Sequence, residues 1–142
     1  DNKYIQQQFM NIMNNNVNID NKNLDNINLY NIVPEIIIIE LIDNISNGVK
    51  DKPENISLTD NNDNINNYIL DSAIVRDTTQ NHVCSLLTCN KVEKKFDGAS
   101  YSRLTNFKWK HLINKNKHWT FKGVNLKWNF MNSYQILFYY KV

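Results

Sequence analysis

The 142 residues suffice for one domain with a real core and exclude two. Hydrophobic residues make up 42% and aromatics 11%, while mean hydropathy is -0.54 because asparagine occupies 27 positions. Net charge is +2 but unevenly spread. Residues 1–71 carry four Lys against eleven Asp or Glu (-7), and residues 72–142 carry twelve Lys or Arg against three Asp or Glu (+9). The simpler reading is mutual neutralisation within one fold; the other is two faces with different partners.

The longest apolar run, Ile36 to Ile39 with its flanks, is too short to span a bilayer, so no membrane partner is expected. No basic region followed by an apolar stretch marks a secretory signal. Opening on Asp1, the chain is expected to be a piece of a longer product. Cys84 and Cys89 have no metal spacing around them, and no metal or cofactor is expected. The implied setting is reducing and intracellular, cytoplasmic or nuclear, or else within a virion.

In chain order, Tyr4, Ile5, Phe9, Ile12 and Met13 fall at helical spacing and predict one short helix. Asn14 to Asn31 reads as a polar connector, so residues 1–31 form a helix plus connector and residues 32–142 a β domain. IVPEIIIIELI is dense in β-branched residues and predicts a buried strand of about eight residues after Pro34. Asn44 to Pro53 has turn chemistry, Glu54 to Leu58 alternates as a short strand, and Thr59 to Asn67 is a polar loop. Tyr68 to Val75 and His82 to Cys89 predict a hairpin joined by RDTTQN. Asn90 to Asp97 is charged, and Gly98 makes a turn. Tyr101 to Ile113 has no clear period; HWTF, LKWNF and YQILFYYKV predict further short strands. The fold class is α+β, predominantly antiparallel.

Several of these segments resemble, in order, the second half of ubiquitin-specific protease catalytic domains. VPEIIIIEL (Val33 to Leu41) resembles the family's Leu-Pro-x-x-Leu-x-x-x-Leu strand, and KPENISL (Lys52 to Leu58) its Phe-Pro-x-x-Leu-x-Leu segment. YILDSAIV resembles Tyr-x-Leu-x-Ala-Val-Val, NHVCSLL the Gly-His-Tyr-Thr-Ala-Tyr segment, and SYQILFYYKV the closing Ala-Tyr-x-Leu-Phe-Tyr strand. The match covers residues 33–97 and 133–142. It implies the β-rich half of a papain-like cysteine peptidase, with ubiquitin or a ubiquitin-like protein as partner.

By this resemblance His82 is the general base. A cysteine peptidase needs an imidazole to take the thiol proton and a third group to fix that ring. The resemblance places the third group in a Tyr-x-Phe-Asp-Asp segment after the next strand. KKFDGAS offers Asp97 there, fifteen residues past His82, which is room to run along one strand, turn and return. WTFKG (Trp119 to Gly123) also resembles that segment but has Lys122 and Gly123 in the acid's place, so Asp97 is preferred. The catalytic expectation is therefore His82 and Asp97.

The sequence departs from the family at the nucleophile. The Asn-x-Gly-Asn-x-Cys segment is missing, Asn81 replaces the Gly before the histidine, and Val83 replaces the following Tyr. The resemblance then implies either a nucleophile from another segment or chain, or a pseudoenzyme. Cys84 lies two residues from His82 on the same strand face, which does not aim a thiol at the ring, and it reads as a core residue with Cys89. Five residues apart, the two cysteines face opposite sides and are not expected to form a disulfide.

FKWK, HWTFK and LKWNF interleave aromatics with lysine, and residues 91–128 hold ten Lys or Arg against Glu93 and Asp97. An alternative function follows: a basic, aromatic binding or assembly module for nucleic acid or an acidic protein, viral proteins included. The competing reading of the same residues is a sheet with Trp and Phe inward and Lys outward. His111 and His118 have no third ligand at metal spacing and receive no role.

Overall fold

Alternation of side chains decides which side of each strand is covered. The structure is a computed structural model that describes residues 33–41, 52–60, 62–79, 81–98 and 104–142. The helix expected over residues 4–13 and the connector at 14–31 lie outside the described residues, as does most of the turn at 44–53.

Among the described residues seven strands follow in chain order: β1 (Ile36–Leu41), β2 (Asn55–Thr59), β3 (Ile65–Arg76), β4 (Val83–Cys89), β5 (Val92–Phe96), β6 (Thr105–Asn106) and β7 (Gln135–Lys141). They form one sheet in the order β1-β7-β3-β4-β5-β6, with β2 beside the first half of β3. Every pairing is antiparallel. Helix among the described residues is confined to 3-10 geometry, at Gly98 and over Lys110–Leu112. The expected dominance of antiparallel sheet is thus what the described residues show.

One face of the sheet carries the core. Ile37 and Ile39 of β1, Leu137 and Tyr139 of β7 and Leu86 of β4 are buried on it. β3 contributes Tyr68 and Leu70 from its first half and Ala73 and Val75 from its second. The parity changes because the β3–β7 register shifts between Leu70 and Ser72, and this bulge keeps both halves facing inward. Two tyrosines bury their rings and hold their hydroxyls at the sheet margin, Tyr68 donating to the Pro34 carbonyl and Tyr139 to that of Pro53, each at 2.8 Å.

The cover on that face comes from residues 107–132, which are mostly irregular in backbone yet rich in buried rings. Trp109, Trp119, Phe121, Trp128 and Phe130 are all buried. Trp119 packs on Phe130 with centroids 5.0 Å apart, and Phe121 meets Trp128 edge-on at 5.1 Å. Trp119 and Trp128 exchange a pair of backbone hydrogen bonds, both 3.0 Å. Lys52 pins the layer from below: its ammonium donates to the Phe130 carbonyl at 3.1 Å, and its backbone exchanges two hydrogen bonds with the Asn114 side chain.

Three expectations are corrected, and one stretch that carried no assignment is placed. The isoleucine run is not a fully buried strand: Ile37 and Ile39 are buried while Ile36 and Ile38 are 58% and 52% exposed. Among the described residues β1 ends the strand order, and one side of it meets the core. The polar loop expected over Thr59 to Asn67 is shorter, because β3 already begins at Ile65. Asp60 makes the turn by accepting backbone N–H bonds from Asn62 and Asn64, both 2.9 Å. The charged stretch after Asn90 contains β5, paired to β4 through a two-residue turn at Asn90 and Lys91 with φ of 50° and 63°. HWTF and LKWNF are not strands; they meet in a single bridge, Trp119 to Trp128.

Candidate active site

The site forms where β3, β4 and β5 end together. β3 closes at Arg76, and the connection to β4 is shut by a backbone hydrogen bond from Asp77 N–H to the His82 carbonyl, 2.7 Å. β4 then runs out to the Asn90–Lys91 turn, and β5 returns alongside it to Phe96. Continuing the Ser85↔Phe96 register by one residue sets Cys84 opposite Asp97. His82 lies two residues before Cys84, on the same face and diagonal to Asp97.

The two sequence-predicted residues meet. His82 Nε2 is hydrogen-bonded to Asp97 Oδ1. The acid side chain is fully buried and the imidazole 29% exposed, so the acid is fixed behind a ring whose other side reaches solvent. A carboxylate can only accept, which places the ring proton on Nε2 and the lone pair of the neutral imidazole on Nδ1. Trp128 meets the ring at 6.2 Å and 65°, an edge contact that limits its rotation.

Cys84 shares this face but is buried at 2% exposure. Its thiol is pushed up to about 12, first by burial, with the charges of Asp97 and Asp77 acting in the same direction. Since the thiolate is the nucleophile, Cys84 is chemically silent near neutral pH. Cys89 is exposed at the far end of β4; both cysteines are free.

Lys122 is exposed and Gly123 turns the chain at φ 80°, so WTFKG brings no acid to His82. The indoles of Trp109, Trp119 and Trp128 are core, which removes them as stacking platforms and leaves Lys108 and its neighbours as an outer charge. His111 and His118 are exposed. Among the described residues no group of three or more His, Cys, Asp or Glu is arranged to hold a metal ion.

No family model, curated protein or solved structure matches the chain. What the site can do is therefore set by its own chemistry.

Two further residues, Asp77 and Trp128, complete the site. Asp77 sits in RDTTQN, read there as a plain connection, although Asp followed by Thr-Thr is a signal for side-chain to backbone capping. Trp128 arrives from the irregular layer, and no local pattern ties it to His82.

Proposed function

We propose that this chain is a ubiquitin-protease-like module of α+β, papain-like type, carrying the histidine and acid half of a cysteine-peptidase site. His82 is the general base and Asp97 the group that orients it. The nucleophilic cysteine comes from another segment or chain. Its thiol gives a proton to Nδ1 of His82, and the thiolate attacks an isopeptide carbonyl of ubiquitin or a ubiquitin-like protein. The proton then passes from the imidazolium to the leaving amine, leaving an acyl-enzyme that water hydrolyses. Asp97 holds the Nε2–H throughout and offsets the positive charge on the ring.

The observation that carries this reading is the fully buried Asp97 aimed at a partly exposed His82. A histidine serving packing alone has no need of a desolvated acid behind it. That burial is costly unless the charge is hydrogen-bonded.

The test uses the chain together with the segment or partner chain that supplies the nucleophile, and ubiquitin bearing a thiol-reactive group at its C-terminus. Labelling is expected at a cysteine outside these 142 residues, slowed by about a hundredfold or more in His82→Ala and substantially in Asp97→Ala. Labelling of Cys84 in the isolated chain, or labelling indifferent to His82→Ala, overturns the assignment. With no labelling at all, the catalytic role falls and the module is a pseudoenzyme.

A further inference from the structure

We propose that Asp77 is the positioning residue for His82: its buried carboxylate clamps the β3–β4 connection and delivers the imidazole to Asp97 in one orientation. This rests on the reading of His82 as the base, and goes beyond it by naming what aims the base.

Asp77 is 1% exposed and sits directly after β3, opposite His82. One oxygen, Oδ1, accepts the backbone N–H of Asn81 at 2.9 Å and that of His82 itself at 2.8 Å. The other, Oδ2, accepts the Thr79 backbone N–H at 2.9 Å and the Thr79 hydroxyl. The same residue donates its own N–H to the His82 carbonyl, so His82 is gripped at both its backbone N–H and C=O. With those two groups fixed, the Cα–Cβ direction of His82 is fixed too. Asp97 and Trp128 then have only the side-chain torsions left to settle.

The clamp is also joined to the aromatic cover. Asp77 forms a bridge with Trp128, the ring that touches His82, and the Thr78 N–H donates to the Lys127 carbonyl at 2.8 Å. The base is therefore referenced to β3, β5 and the cover at once. A surface turn of this length can be closed by a solvated Asp or Asn. A buried carboxylate carries a desolvation cost that a plain turn has no reason to bear. Burial does push the Asp77 carboxyl upward, but the hydrogen bonds from Thr79, His82 and Asn81 outweigh it and hold the group below the usual carboxylate range.

The experiment follows the His82 ring Nε2–H by NMR in the intact 142-residue chain, with Asp77→Ala, Asp77→Ser, Asp77→Asn and Asp97→Ala compared. Water exchange of the ring proton is expected to rise about tenfold in Asp77→Ala, the equivalent of one lost hydrogen bond. Asp77→Asn keeps an oxygen for Asn81 and His82 and is expected to stay within about threefold of the parent. Asp77→Ser, with one short acceptor, falls between, and is the arm to read should the alanine variant not fold. Faster exchange confined to the backbone amides of 79, 81 and 82, with the ring proton unchanged in Asp77→Ala or Asp77→Ser, reduces Asp77 to a turn residue and overturns the proposal. Asp97→Ala separates the two claims. If it leaves the ring proton unchanged, the His82–Asp97 reading fails whatever Asp77 does.

Discussion

Cys84 and Cys89 lie on one strand, yet their surroundings give them opposite chemistry. At pH 8 the native chain is expected to take one alkyl group from iodoacetamide, at Cys89. Cys84 should react at least about a hundredfold more slowly until the chain is unfolded, because so little of it is thiolate. Equal rates, read by mass spectrometry of the labelled peptides, contradict the placement of Cys84. Lys52 gives a second residue-scale test. Burial pushes its ammonium down to about 8, below its value in an unfolded chain. Between these two values the unfolded state keeps a proton that the folded state has lost, so stability rises with pH above about 8 and is lowest where Lys52 is charged in the fold. Urea midpoints measured from pH 7.5 to 9.5 should climb in the parent and flatten in Lys52→Met. A parallel climb in both removes Lys52 as the cause.

Turns and strand faces carry their own energetic consequences. Asn90 and Lys91 both adopt positive φ, a conformation that costs an L-residue other than glycine about 1 kcal/mol or more. Lys91→Gly is therefore expected to stabilise the β4–β5 hairpin by about 0.5–1 kcal/mol, measured as a higher urea midpoint at unchanged m-value. In β1 the neighbouring Ile37 and Ile38 face opposite sides. Ile37→Thr should cost about 2–3 kcal/mol through lost burial and a stranded hydroxyl, and Ile38→Thr less than about 0.5 kcal/mol. Similar losses at the two positions would mean that the register of β1 against β7 is wrong. β5 shows why its element was hard to read. Its charged residues are used by distant partners: Lys95 lies 4.6 Å from both the Phe107 and Phe121 ring centroids, and Glu93 accepts the Lys110 N–H at 2.8 Å.

At the scale of the whole molecule, a regular sheet and an irregular aromatic cover share one core. Phe130 touches both Trp109 and Trp119 and is 1% exposed. Phe130→Ala should cost about 3–5 kcal/mol, a large share of the stability of a domain this size. The three tryptophans all lie in the cover, so fluorescence reports on it while far-ultraviolet circular dichroism reports on the sheet. The two probes are expected to give coincident unfolding curves. A fluorescence transition well ahead of the dichroism would show a cover that melts alone.

His82 and Asp97 were named from the family resemblance, and their spacing agrees with a hairpin that runs out along β4 and returns along β5. Fifteen residues out and back, with side chains alternating, is enough to bring them to one face. The strand character of β1, β2, β3, β4 and β7 was equally open to reading from β-branched and aromatic alternation. Residues 107–132 were not, since their order comes from packing rings onto a sheet assembled by distant strands, which leaves no period in the chain. The same holds for Trp128 at the His82 ring. Strand alternation and a spacing that lets Asp97 return beside His82 could be read from the residues, while the choice of that pair came from the family resemblance. Tertiary structure alone decided that this acid is buried, that Cys84 is silent, and that Asp77 grips the backbone of His82, because burial is set by what the rest of the chain brings to that end of the sheet.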